Sequence, residues 1–283
     1  TPRKLSLGDA EESWTLDRAD MMTHLTVYST IVATVLGIII AGGTPTEALL
    51  SAKLNAENAT LEGGLKADAL RDLVKKELEK RANLKLITRS LMTSGKGILA
   101  IDESERSFAK RLAKFKIPDS RKKREEFYRM MLTTPELKGS ISGVILSEEN
   151  SKLRVTANKH VLEYLTERGV IPGIKADQGL TEMKVGGEMH TLGLDGLAEK
   201  LRKWYDHGFR FAKWRAAFEI AENKPGYFAV EENAKELASF AKECQLVGLV
   251  PVVEVDILAD GDYPVEKNAE VLDRVLVNVF EKL

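Results

Sequence analysis

With 283 residues, 42 Lys and Arg against 43 Asp and Glu, and a formal net charge of −1, the chain holds one large domain or two small ones. That balance gives no reason to expect a nucleic-acid partner, so any anion-binding role must come from a local cluster. The single cysteine, Cys244, excludes an internal disulfide and suits a reducing compartment such as cytosol or plastid stroma.

Residues 1–20 are polar and acid-rich and read as a loosely ordered arm. Residues 21–46 carry no Lys, Arg, Asp or Glu, and their apolar heart, Leu25 to Gly43, approaches the roughly 20 residues a helix needs to cross hydrocarbon. A helix satisfies its own backbone groups there. Ala33, Gly37 and Ala41 fall four apart and would line one face, open to close approach by a second membrane helix. The segment is therefore expected to be a transmembrane helix with membrane-protein partners. Its Thr and β-branched content favours the competing reading, a buried helix or strand pair in a soluble domain. The acidic arm stands where a signal peptide would carry a basic region. Cations flank both sides (Arg3, Lys4 and Arg18; Lys53 and Lys66), so orientation stays open. Residues 47–64 read as a connector closed by Gly63-Gly64, with a chance sequon at Asn58-Ala59-Thr60.

The texture changes at Leu65, and residues 65–283 read as one domain. LKADALRDLVKKELEKRANLKLITRSLM has apolar residues at helical spacing among charges. Strands and helices then alternate. GKGILAIDES, SGVIL, VIPGIKADQG, FRFAKWRAA and LVPVVEVDIL are the expected strands, each followed by a helix, the last being PVEKNAEVLDRVLVNVFEKL. Apolar strands alternating with helices call for a parallel sheet covered by helices. Cys244, Trp204 and Trp214 are expected in the core, and Arg121-Lys122-Lys123-Arg124 on a solvated helix face. Asp256, Asp260 and Asp262 lack the spacing of a calcium loop. His24, His160, His190 and His207 show no HxH or HxxxH pattern, so neither metal nor cofactor is expected.

The strands end in polar residues two apart, which point to one side. These are Asp102 and Ser104, Lys175 and Asp177, Lys213 and Arg215, and Glu254 and Asp256. Charges inside a barrel are unfavourable unless paired, whereas the C-terminal mouths of the strands are where an α/β barrel builds its site. Gathered there, the cations suit phosphate and the carboxylates suit proton transfer. Crowded cations could also depress a lysine toward a nucleophilic amine. The competing reading is a set of structural ion pairs.

GKGILAIDES, SGVIL, GIKADQGL, GLDGLAEK, FAKWR, EENAKELA, GLVPVVEVDIL and ADGD stand in the order and spacing of class I fructose-bisphosphate aldolases, which the chain from about residue 90 resembles. The AIDES form is similar to plastid members. The resemblance implies a (β/α)8 TIM barrel of that type, incomplete at about five strands, behind the transmembrane helix. It implies that Asp102 handles the substrate hydroxyl proton, that Lys213 stands beside a Schiff base and that Glu254 is the acid/base of carbinolamine dehydration. It also implies substrate binding by Ser104, Ser107, Lys175, Arg215 and Asp256, with a sugar phosphate as ligand.

The sequence departs from the family pattern in several places. Glu105-Arg106 replaces a small pair beside the phosphate loop, VEVDIL replaces VEPEIL, Gln178 replaces a lysine, and SEENSKLRV replaces the loop after strand two. The Schiff-base lysine belongs to a sixth-strand motif like LLKPNM, absent from these 283 residues. The chain as it stands is then not competent, and five strands would need further residues or a partner to cover the open side. Two functions follow. One is metal-free cleavage of fructose 1,6-bisphosphate to dihydroxyacetone phosphate and glyceraldehyde 3-phosphate, in plastid stroma or cytoplasm. The other is a silent accessory subunit anchored in a membrane complex, such as a thylakoid photosynthetic complex.

Overall fold

The computed structural model describes residues 67–184, 186–258 and 260–283. The expected arm, transmembrane segment and connector, with Ala33, Gly37 and Ala41, lie outside the described residues. Among the described residues no helix is long and apolar enough to cross a membrane.

The elements follow the alternation read from the sequence. They are α1 (Ala67–Leu91), β1 (Gly97–Ile101), α2 (Glu105–Lys114), α3 (Arg121–Leu132), a short α4 (Leu137–Ser140) and β2 (Ile141–Leu146). Next come β3 (Arg154–Thr156), β4 (Lys159–His160), α5 (Val161–Thr166), β5 (Ile171–Lys175), β6 (Leu180–Glu182) and β7 (Met189–Thr191). Then follow α6 (Leu197–Asp206), β8 (Phe211–Phe218), α7 (Tyr227–Val247), β9 (Val250–Ile257) and α8 (Val265–Lys282). Strands β1, β2, β5, β8 and β9 form one five-stranded sheet in that order, every pairing parallel. The fold is an α/β barrel, present among the described residues as a partial barrel of parallel strands.

Period-two alternation sorts each strand into two layers. Ala212, Trp214 and Ala216 of β8, with Val253 and Val255 of β9, join the core beneath the outer helices. Phe211, Val250, Val252 and Ile145 face the other way and form a second cluster with Leu91 of α1, against which Leu84 and Ile87 also pack. Helix α1 thus plugs the N-terminal end of the barrel interior. Packing at that plug is tight. A Cβ at Gly173 would fall 2.2 Å from Phe211 Cζ, and one at Gly143 2.6 Å from Leu91 Cδ2.

Short helices are fixed at their starts. Ser104 caps α2 by accepting from Ser107 N at 3.2 Å, and Ser120 caps α3 by accepting from Lys123 N at 3.3 Å, each cap contributing about 1 kcal/mol. Trp214 and Cys244 are fully buried, and Trp204 packs at the core's edge. Burial, then the neighbouring Glu243, pushes the Cys244 thiol well up.

The segment Arg121-Lys122-Lys123-Arg124 departs from expectation at its last member. Arg124 is buried, and its guanidinium meets Glu149 at 2.7 Å, Asp119 at 2.6 Å and Glu105 at 3.4 Å. A solvated face fails here because carboxylates from three separate segments converge on it. Two antiparallel hairpins, β3–β4 and β6–β7, stand in addition to the five expected strands.

Candidate functional site

Strand β8 ends the alternation of its inner face with two cations, Lys213 and then Arg215. Beside it β9 presents Glu254, then Asp256. The parallel register sets Arg215 opposite Glu254 and Lys213 opposite Lys175 of β5. Lys213 is 5% exposed, Asp102 7% and Glu254 8%. Lys213 Nζ donates to Asp102 Oδ2 at 3.0 Å and stands 2.6 Å from Glu254 Oε2.

This contact reports the curvature of the sheet. β1 and β8 are three spacings apart, about 14 Å along a flat sheet. Asp102, just past β1, meets Lys213 only because the sheet rolls far enough for the two to face each other across the interior.

The electrostatics of Lys213 reverse one expectation. Burial alone would lower the ammonium, but the charges of Asp102 and Glu254 and their hydrogen bonds outweigh it, and Lys213 is held above its ordinary 10.5. A depressed, nucleophilic lysine is therefore not what stands here. Its close neighbours are carboxylates and not cations, so its charge is a fixed feature of the site. Glu254 is raised above its ordinary 4.5, first by burial and also by the charge of Asp102, against the opposing pull of Lys213. A carboxyl whose hold on a proton is strengthened, placed beside an ammonium, suits the exchange of a proton with a leaving hydroxyl.

A shallower tier surrounds the deep cluster. Arg215 binds Asp256 Oδ2 through Nη2 at 2.5 Å and Nε at 2.7 Å. Lys175 Nζ lies 3.0 Å from Asp177 Oδ1. Ser104 and Ser107 sit at the start of α2, exposed, with Ser104 Oγ donating to Ser107 Oγ at 2.9 Å. The structure thus joins Asp102, Lys213 and Glu254 directly, pairs Arg215 with Asp256 one residue pair further along the same strands, and leaves the serines on the rim. Glu105, the bulky acid expected beside the serines, reaches instead toward Arg124.

Several supporting residues escaped the sequence reading. Asn150 is buried, accepts from Ser147 N at 2.7 Å through Oδ1, and its amide donates to the carbonyl of Ile101 immediately before Asp102. Arg111 ties back to Glu103 at 2.5 Å while its guanidinium lies over the Phe108 and Phe127 rings. A polar Asn in a loop and an Arg on a charged helix carry no local signal of such partners. Two surface clefts of about 460 and 600 Å³ open elsewhere, lined by residues such as Thr133, Lys138 and Arg168, and Lys76, Arg210 and Gly248. Of these, Lys138, Arg168, Arg210 and Gly248 stand just before strands and not at their ends, so the clefts lie at the opposite end from the charged cluster.

The family model for class-I fructose-bisphosphate aldolase matches residues 83–283. The cytosolic fructose-bisphosphate aldolase 4 of Arabidopsis thaliana is 43% identical over 192 residues, covering 68% of this chain and 49% of that protein. The probable class 1 aldolase of Xanthomonas campestris pv. campestris is 40% identical over 196 residues, covering 69% and 59%. Among solved structures, the aldolase of Plasmodium falciparum, in a ternary crystal with TRAP and a small-molecule inhibitor, superposes with a TM-score of 0.69 at 39% identity, over 72% of this chain and 60% of that one. The chain spans about half the length of the curated relatives it matches.

Proposed function

The chain belongs to the class I fructose-bisphosphate aldolase family, and from that premise we propose that its strand-end cluster serves the Schiff-base cleavage of fructose 1,6-bisphosphate. The observation that carries this reading is Lys213 held between Asp102 at 3.0 Å and Glu254 at 2.6 Å. Glu254, with its raised carboxyl, gives a proton to the hydroxyl that leaves the carbinolamine. Lys213 supplies the fixed positive charge that steadies both carboxylates. Asp102 accepts the proton of the substrate hydroxyl as the carbon–carbon bond breaks, leaving an aldehyde on one fragment and the electron pair on the other. Arg215, Asp256, Lys175, Ser104 and Ser107 bind the substrate, their cations and hydroxyls facing its phosphates. The imine-forming lysine belongs, by the family pattern, to a sixth strand outside these 283 residues.

The test uses the native full-length protein. Borohydride reduction with dihydroxyacetone phosphate is expected to leave an adduct on a lysine, with formation slowed about 100-fold in Glu254→Gln. No adduct on the wild type would overturn the catalytic reading. The cytosolic and cytoplasmic names of relatives from Arabidopsis thaliana and Cicer arietinum favour a cytoplasmic site of action over a plastid one.

The charge-free run Leu25–Gly43 favours a second reading, a silent aldolase-like subunit anchored in a membrane complex. It predicts resistance to carbonate extraction from native membranes; release by carbonate would remove it.

A further inference from the structure

Strand β8 is paired unequally on its two sides. Against β9 the ladder runs its full length to Phe218 opposite Ile257, but against β5 it stops at Lys175 opposite Lys213. The carbonyl of Lys213 still finds Ala176 N at 2.8 Å. Two residues on, along the same edge, the carbonyl of Arg215 lies past the last β5 pairing. Thr191, buried at the end of β7, supplies the donor: its Oγ1 donates to Arg215 O at 2.7 Å.

Thr191 is itself held from α7. Glu236 Oε2 accepts from Thr191 N at 3.2 Å, and Glu236 Oε1 faces His190 Nδ1 at 2.8 Å. A carboxylate has no proton to give, so the imidazole nitrogen is the donor. One turn earlier on the same helix Asn233 Nδ2 donates to Met189 O at 3.0 Å. At its start Gly226 N donates to Glu188 at 2.9 Å. Residues 188 to 191 are thus fastened to α7 by four consecutive positions, and the last of them reaches the backbone of the arginine at the mouth.

We propose that Glu236, acting through Thr191, is a positioning residue for Arg215. It fastens hairpin β6–β7 in the place of the missing strand neighbour, fixing the end of β8 so that the Arg215 guanidinium stays on Asp256 and faces the mouth. A phosphate monoester is the class of ligand this orientation serves, a consequence that rests on the proposed function.

The test is carried out on the full chain by NMR, following solvent exchange of the Arg215 Nε–H that donates to Asp256. Thr191→Val keeps the side-chain shape and removes the donor. Thr191→Ser keeps the donor, and Glu236→Ala removes the anchor on the other element. Exchange is expected to quicken about fivefold to tenfold in Thr191→Val and Glu236→Ala, the scale of one lost hydrogen bond, and to return to the wild-type rate in Thr191→Ser. Wild-type exchange in both Thr191→Val and Glu236→Ala, or a Thr191→Ser as fast as Thr191→Val, would overturn the proposal. Inorganic phosphate added to the wild type separately tests the ligand class. If it leaves the Arg215 signal unmoved, the phosphate reading fails, while the exchange comparison still decides the positioning role.

Discussion

Lys213 is a buried ammonium with two carboxylates on it, and that fact decides how the site must respond to change. Removing one partner of a buried ion group strands the others, typically at a loss of about 3–5 kcal/mol. Lys213→Met should therefore unfold at lower denaturant by about that amount, measured by urea titration near neutral pH. The signs of the two shifts are both informative. Lys213 is raised, so its contribution is complete below 10.5 and is lost as pH rises above that value. Glu254 is a carboxyl raised above 4.5, so the folded chain binds its proton more tightly than the unfolded one. Its effect on stability therefore falls as pH rises from 4.5 through the folded value, the opposite of an ordinary salt-bridged carboxylate. The unfolding free energy of Glu254→Gln minus that of wild type should increase with pH across that window. A difference that stays flat or decreases would show Glu254 to be unperturbed or lowered.

The identities of these residues were legible because strands alternate: Lys213 and Arg215, like Glu254 and Asp256, had to share a face. Their contacts were not legible. Asp102 lies 111 residues from Lys213, and only the rolled sheet brings them together. The polarity of the lysine's surroundings was misjudged for the same reason, since a list of strand-end charges does not say which of them touch.

At the scale of elements, long periodic segments could be read and short polar ones could not. Helices α7 and α8 and strands β8 and β9 stand where hydrophobic spacing put them. Hairpin β6–β7 has three-residue strands, and its sequence LTEMKVGGEMHT offers too few apolar positions to show a period. Arg124 looked like one more cation in a basic run, yet it pins the start of α2, the loop at Asp119 and the loop after β2. Arg124→Met is expected to destabilise the chain by about 1–3 kcal/mol, through loss of its charge-assisted hydrogen bonds to Asp119 and Glu149; thermal unfolding would measure it. At the plug of the barrel, Gly173→Ala places a methyl against the Phe211 ring, which is fully buried and has no room to retreat. Overpacking of that kind should cost about 1–3 kcal/mol, whereas Gly169→Ala, with nothing within 4 Å, should show only the smaller strain of its φ of +66°.

At the largest scale, the described residues are organised along one axis. Helix α1 closes one end, apolar side chains of β2, β8 and β9 fill the next layer, the Asp102–Lys213–Glu254 cluster follows, and Arg215 with Asp256 lies beyond it. Apolar contacts at the closed end leave the polar end free to carry charges that an unbroken core would exclude. That gradient, more than any single motif, is what the proposed function draws on: paired cations and hydroxyls at the rim, the buried ion cluster deeper in, and an apolar floor. The most direct measurement of the account is an NMR titration of the chain with fructose 1,6-bisphosphate. Saturable shifts centred on Lys213, Arg215 and Glu254, abolished by Lys213→Met and strongly weakened by the isosteric Asp102→Asn, are predicted. Binding that bypasses these residues, or that survives unchanged in both variants, would contradict it.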